Sequence, residues 1–442
     1  MKKLLVLLSG TLLLLIPALI NAYPMIYSDT STYLASGFVL QPPMDRPITY
    51  GLFIRLFSLN GFSLWPVIFM QSFLLSWLIY LLASLILGEN QKFKNYIFLA
   101  LVAFASFSGA GWASCYLIPD IFTPIMILSA ILILFSRADR GKRTLYYFVY
   151  GFSVAMHSSH IPIGLGLLSL LLVARLLLWN NNWLLFKLRP VLILIVITLT
   201  AILAMGSSLS KSKHVFLMGA FIEQGIIQPY LDQSCNTYDY KLCEYKDSLP
   251  EHAWQFIWEE SSPLYKLGGW KETKEEFKAI IRGTFSSPEF ILLHIKASLK
   301  ATLQQLARFE ALDFKGVAPN ASELQYRVEK YVPNDLNRFE NSRQNLGLLA
   351  PIKWWNRAQL ILVLFSLFAL ILIFSFSRTA RTKPLLVQIG ILIFLGIMLN
   401  AWVCGTFSTP IDRTGNRMIW LIPAYAILLL PWEKWFPIKK TT

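Results

Sequence analysis

Ten mainly apolar stretches recur along the chain, at about 4 to 22, 62 to 87, 96 to 113, 119 to 136, 145 to 157, 161 to 178, 190 to 208, 357 to 377, 385 to 404 and 417 to 432. Most approach the roughly 20 residues that a helix needs to cross a bilayer, where a backbone must satisfy its own hydrogen bonds. The expected fold is therefore an all-α polytopic membrane protein with about ten transmembrane helices. Composition agrees, with 55% of residues hydrophobic and 15% charged and a mean hydropathy of +0.52. The formal net charge of +15 would suit a nucleic-acid binder, but the basic residues sit largely in short links between apolar runs. That is the positive-inside pattern, so the expected partner is a lipid bilayer and not nucleic acid.

Lys2 and Lys3, Lys92 and Lys94, Arg137 to Arg143, Lys187 and Arg189, Arg378 to Lys383, and Lys439 and Lys440 fall on one side. That side is expected to be the cytoplasm, with both termini in it. The alternate links near Ala110 to Ile118 and His157 to His160 carry no Lys or Arg. The fifth run is short and Tyr-rich, and with the sixth it could form a bent or re-entrant pair. The first run has the Lys-rich start and small Ala22 of a signal peptide, but its long apolar core reads as a retained anchor.

Two links on the opposite side are long, about 23 to 60 and about 209 to 355. The expected organisation is an N-terminal transmembrane module over 1–208, a mainly helical extracytoplasmic domain over 209–355 and C-terminal transmembrane helices over 356–442. Within the second link, Ser287, Pro288 and Glu289 read as a helix start. Leu292, Ile295, Leu299, Leu303 and Leu306 then repeat at helical spacing, with Lys296, Lys300 and Arg308 beside them. This face is expected to pack inside the domain, the alternative being a seat on anionic lipid. Cys235 and Cys243 enclose a short loop and are expected to form a disulfide in an oxidising compartment. Trp254, Trp258 and Trp270 are read as core or interface residues, although aromatic faces also stack on sugars. There is no Walker A loop, dinucleotide fingerprint, CxxC pair or Asp-X-Asp motif, and no cofactor or metal site is read from the chain.

Ionisable groups beside a bilayer are costly unless paired or used. The first long link places Asp29, Asp45 and Arg46 there. A carboxylate such as Asp29 can take a proton from an acceptor hydroxyl. Arg46 offers a planar fork for a phosphate at headgroup depth, and Asp45 could orient it or act as a second carboxylate. The plainer alternative is that Asp29 caps a helix beginning at Thr30 and that Arg46 snorkels to the interface. Asp120, after Pro119, reads as either a cavity residue or another cap. His157 and His160 could contact phosphate or acceptor, and are equally plausible as interfacial residues. Arg413 and Arg417 precede the last run against the positive-inside bias, so they need a phosphate or carboxylates as partners.

The order of Asp29, Tyr33, the Asp45-Arg46-Pro47 triplet and Tyr50 between the first two runs resembles the membrane-embedded GT-C glycosyltransferases. It is especially similar to the aminoarabinose transferase and protein mannosyltransferase branch, which takes a sugar from a polyprenyl-phosphate carrier. Thr30 stands where Glu is common in that family, and the loop between the two motifs is shorter. Asp120 and Arg417 match by position. The resemblance implies a GT-C-like fold and transfer of a sugar from a polyprenyl-phosphate-linked donor to a lipid or glycan acceptor. It assigns catalysis to Asp29, Asp120 and Asp45, donor phosphate binding to Arg46, Arg417 and Arg413, and substrate contact to Tyr33, Tyr50, His157 and His160. The expected setting is a bacterial inner membrane with the site facing the periplasm. Rival readings are a lipid or glycan transporter, or a polysaccharide ligase or polymerase using a pyrophosphate-linked donor and leaning on Arg413 and Arg417.

Overall fold

The computed structural model describes residues 2–88, 91–178, 182–311, 322–349, 353–377, 383–430 and 432. Arg378, Arg381, Lys439 and Lys440 lie outside the described residues, as does the Lys92 side chain. Among the described residues the chain is all-α, with a single isolated β-bridge between Met25 and Tyr116.

Each of the ten apolar runs is helical, but the helices differ in what they are long enough to do. Five described helices are long and apolar enough to cross a membrane: Trp65–Leu87, Phe93–Cys115, His160–Leu177, Trp354–Phe376 and Pro384–Phe407. The first run is broken into α1 (Lys2–Leu14) and a short helix Ile16–Asn21 that begins around Pro17, a residue that cannot continue the backbone ladder. The fourth apolar helix, Pro119–Phe135, is shorter. The fifth, Arg140–Ala155, carries Arg140, Lys142 and Arg143 in its first turn.

Two short helices lie in the first long link, α2 (Thr30–Val39) and α3 (Thr49–Phe57). They touch backbone to backbone, since a Cβ on Gly37 would fall 2.1 Å from the Gly51 carbonyl oxygen. The strand of chain before α2 is pinned from both sides. The Met25 N–H donates to the Cys115 carbonyl and its own carbonyl accepts from Leu117 N–H, both at 2.9 Å. The Gln344 side chain accepts the Ile26 N–H at 3.0 Å and donates to the Ile26 carbonyl at 2.9 Å.

The link expected to be one domain divides between two hydrophobic cores. Residues from Val215 to Phe290 build a separate small core around Phe256 and Phe277. Ala311, Leu324, Val328, Val332, Phe339 and Leu349 instead join the main core of the helix bundle. Asp335 ties them there. It is fully buried, its Oδ2 accepts the Leu64 N–H at 2.7 Å, and both its oxygens receive the Ser63 hydroxyl at 3.1 Å. A disulfide joins Cys235 to Cys243, the pairing expected from their spacing.

The amphipathic helix α4 (Pro288–Ala307) begins as its sequence implied, with the Ser287 hydroxyl accepting the Phe290 N–H. Its apolar stripe does not pack inside the domain. Leu292, Ile295, Leu299 and Leu303 are all more than half exposed. The opposite, small and polar face is the one that packs, against α5 (Pro384–Phe407). Gly405 allows the close approach, for a Cβ there would lie 2.6 Å from the Ala301 carbonyl. Ser298 meets Thr406 at 2.9 Å and Gln305 donates to the Ile411 carbonyl at 2.9 Å. Contact through small and hydrogen-bonding residues is how helices associate where hydrocarbon surrounds them, and it leaves the larger apolar side chains outward.

Replacing Asp335 with Ala strands the Leu64 N–H in a buried setting. The variant should lose on the order of 2 kcal/mol, read as a lower unfolding midpoint in detergent, with Asp335→Asn recovering part of the loss.

Candidate functional site

Four separate segments deliver the charged side chains to one place. Asp29 ends the pinned strand, Asp45 and Arg46 lie in the turn between α2 and α3, and Asp120 sits in a single 3₁₀ turn, Pro119–Ile121. Arg413 and Arg417 occupy α6 (Asp412–Ile419), where a spacing of four residues puts both on one face. That helix is seated by Asn416, whose Oδ1 accepts from Gln359 at 2.9 Å. Gly109, at φ 127°, makes room for it, because a Cβ there would lie 2.2 Å from that oxygen.

The charges alternate along a ladder. Arg46 Nε donates to Asp45 at 2.9 Å and its Nη1 lies 3.0 Å from Asp29. Asp29 also receives Arg413 Nη1 at 2.8 Å, while Arg413 Nε lies 3.7 Å from Asp120. Asp120 in turn accepts from Arg417 Nη1 at 2.7 Å. Arg417 is wholly buried, and its remaining donors reach Asn400 Oδ1 at 2.8 and 3.1 Å, Cys404 Sγ at 3.2 Å and Ser159 Oγ at 3.3 Å. Aromatic faces complete the shell, with Tyr33 centred 5.0 Å from the Arg46 guanidinium and Tyr27 4.4 Å from that of Arg413.

These contacts bear on the capping and snorkelling alternatives. Asp29 is the cap residue of α2 by position, but its side chain makes no capping bond. Asp120 does not cap its turn either, since Ile118 holds that place. Arg46 is paired with two carboxylates and does not snorkel. Arg413 and Arg417 find Asp29 and Asp120 as partners, whereas Asp412 accepts the Glu310 N–H at 3.0 Å.

Burial alone would raise the Asp29 pKa, but the guanidiniums of Arg413 and Arg46 outweigh it and hold the carboxyl well below the usual range. A carboxylate depressed in the fold adds stability above its unfolded pKa and loses it as pH falls through the folded value. Asp29 is therefore ionised throughout the neutral and mildly acidic range. His157 is held well below its ordinary value by burial and then by Arg417, Arg413 and Arg46. Its Nδ1 accepts the Ser159 N–H at 3.2 Å, which leaves the proton on Nε2.

A cavity of about 640 Å³ opens beside the ladder. Asp29, Tyr33, Asp45, Arg46, Asp120, His157, Arg413 and Arg417 supply its polar end, and Ile161, Leu165, Ile202, Phe216, Leu217 and Phe407 contribute an apolar wall. Trp258 lines it too, half exposed and with its ring against Phe216 and Trp270. Tyr50 and His160 are placed elsewhere. Tyr50 is buried behind Tyr33 and donates to Gln71 at 2.7 Å. His160 is buried between Thr123, at 2.8 Å, and the Ser153 carbonyl, at 2.6 Å. Both support the site without facing the cavity.

Asn400, Cys404 and Ser159 were missed by sequence reasoning. Asn400 carried a signal, as an amide within an apolar run, where polar groups are expensive. Among the described residues no three His, Cys, Asp or Glu side chains gather as a metal would require. Compared with family models, with curated proteins and with solved structures, the chain matches none.

Arg417→Met removes the only hydrogen-bond donor to Asp120 among the described residues and should cost about 3 kcal/mol of stability. Adding Asp120→Asn should restore part of that, and a double-mutant cycle of unfolding midpoints measures the coupling. For Asp29→Asn, the gap in midpoint from wild type should be equal at pH 8 and pH 5 and narrow only at lower pH.

Proposed function

We propose that the protein is an integral membrane glycosyltransferase that moves a sugar from a polyprenyl-phosphate carrier to an acceptor on the outer face of the membrane. The observation that carries this reading is a cavity with a ladder of carboxylates and guanidiniums at one end and an apolar wall along the rest. That shape and polarity suit an amphiphile with an anionic junction between tail and sugar. The order of Asp29, Tyr33 and Asp45-Arg46-Pro47, resembling the GT-C enzymes, points the same way. In this reading the cavity faces the periplasm and both termini are cytoplasmic.

The acceptor oxygen attacks the anomeric carbon, and the bond from that carbon to the carrier phosphate breaks. The electron pair stays with the phosphate, and the acceptor proton passes to Asp29. Arg46 and Arg413, each with part of its side chain accessible, offset the charge growing on the phosphate. Arg417 lines the cavity with its donors already engaged, and its part is to hold Asp120 and through it Arg413. Asp29 held by two guanidiniums is a weak base. Its proton affinity rises once a phosphate draws Arg46 and Arg413 toward itself.

A transporter would need ionisable groups spread along a path. Here they gather in one cluster at helix ends and in links, which favours a surface reaction. A ligase leaning on Arg417 would need that guanidinium free for its donor, and its hydrogen bonds to Asp120, Asn400, Cys404 and Ser159 speak against it.

Asp29→Asn should abolish sugar transfer from polyprenyl-phosphate hexose or pentose donors in reconstituted vesicles, while the protein still elutes as a folded species. Full activity in that variant would sink the assignment. Mass spectrometry of envelope glycans from cells with and without the protein then identifies the sugar.

A further inference from the structure

The ladder is electrically closed. Asp29, Asp45 and Asp120 are matched by Arg46, Arg413 and Arg417, each guanidinium lying against at least one of the carboxylates. An anion that entered between them would gain little until one of those pairs opened. The cavity has one further charged lining residue, Lys213.

Lys213 belongs to the long helix α7 (Leu188–Glu223). It is exposed, and among the described residues it has neither an ion pair nor a hydrogen bond. Ile202, Lys213, Phe216 and Leu217 are separated by eleven, three and one residues, spacings that place them on one face of a helix. All four line the cavity. An unpaired ammonium is thus set in the same wall as three large apolar side chains.

We propose that Lys213 is the docking cation for the anionic headgroup of the amphiphile, with the tail lying along the Ile202, Phe216 and Leu217 face. The inference rests on the donor reading above, in which that headgroup is the carrier phosphate. It adds a binding residue on a different element from the ladder. An ammonium without a carboxylate partner attracts the phosphate before any ladder contact has to break. Arg46 and Arg413 engage only after the headgroup is seated.

The test uses the full-length protein in uncharged phosphatidylcholine nanodiscs, titrated with decaprenyl phosphate, decaprenol and inorganic phosphate. Loss of a charge-assisted contact is expected to raise the Kd for decaprenyl phosphate about tenfold in Lys213→Gln. Lys213→Arg should stay within about threefold of wild type, because the positive charge is kept. Decaprenol should bind both proteins weakly and equally, and inorganic phosphate should not compete at concentrations where the lipid saturates. The unfolding midpoint of Lys213→Gln should match wild type, since no packed contact is removed. Unchanged decaprenyl phosphate affinity in Lys213→Gln overturns the role of Lys213 while leaving the donor reading intact. Wild-type protein that binds decaprenyl phosphate no better than decaprenol overturns both. Inorganic phosphate competing as well as the lipid overturns the assignment of the tail to the α7 face.

Discussion

Arg413 lies between Asp29 and Asp120, two carboxylates that come from separate links in the N-terminal half of the chain. Removing it would leave both with one partner fewer in a setting where water is scarce, and much of the surrounding architecture serves to keep it in place. Asn416 anchors its helix against Gly109 and Gln359. Asn400 and Cys404, one turn apart on α5, hold Arg417 beneath. Ion pairs taken out of water seldom add net stability, because desolvation costs as much as attraction returns. What such a ladder does provide is fixed geometry, with donors and acceptors held in place by one another.

The polar loop that carries Asp29 and Arg46 is itself built like an interior. Main-chain pairing with Cys115 and Leu117 on one side and the Gln344 amide on the other leaves it little freedom. Residues 324–349 therefore act as part of the bundle, although they follow a long polar stretch in sequence. The small core around Phe256 and Phe277 is separate, and it reaches the cavity through Phe216 and Leu217. Helix α4 joins the two. Its inward face is small and polar, and its large apolar residues look outward.

Much of the fold was legible in the sequence because hydrophobic periodicity acts locally. The ten apolar runs are all helical, and the Ser287-Pro288 start of α4 is where capping chemistry puts it. The direction in which α4 presents its stripe was not legible. A repeating apolar face states that a helix has two sides, while the choice of which side meets protein depends on the neighbour, here the close approach permitted by Gly405. Likewise Tyr50 and His160 were chosen for chemistry by residue type and neighbourhood in the chain. Their burial against Gln71 and Thr123 is a property of packing.

Residue types and their order by themselves determined an all-α chain with helices suited to a bilayer, a link dense in charge before the second of them, and two Arg residues in need of partners. Those features follow from the cost of exposed backbone and unpaired charge in hydrocarbon, which is paid residue by residue. The tertiary structure alone decided that Arg413 and Arg417 meet Asp29 and Asp120, and that Lys213 is left without a counterpart at the cavity wall. Pairing between groups nearly 400 positions apart depends on how helices cross, and no local pattern encodes that.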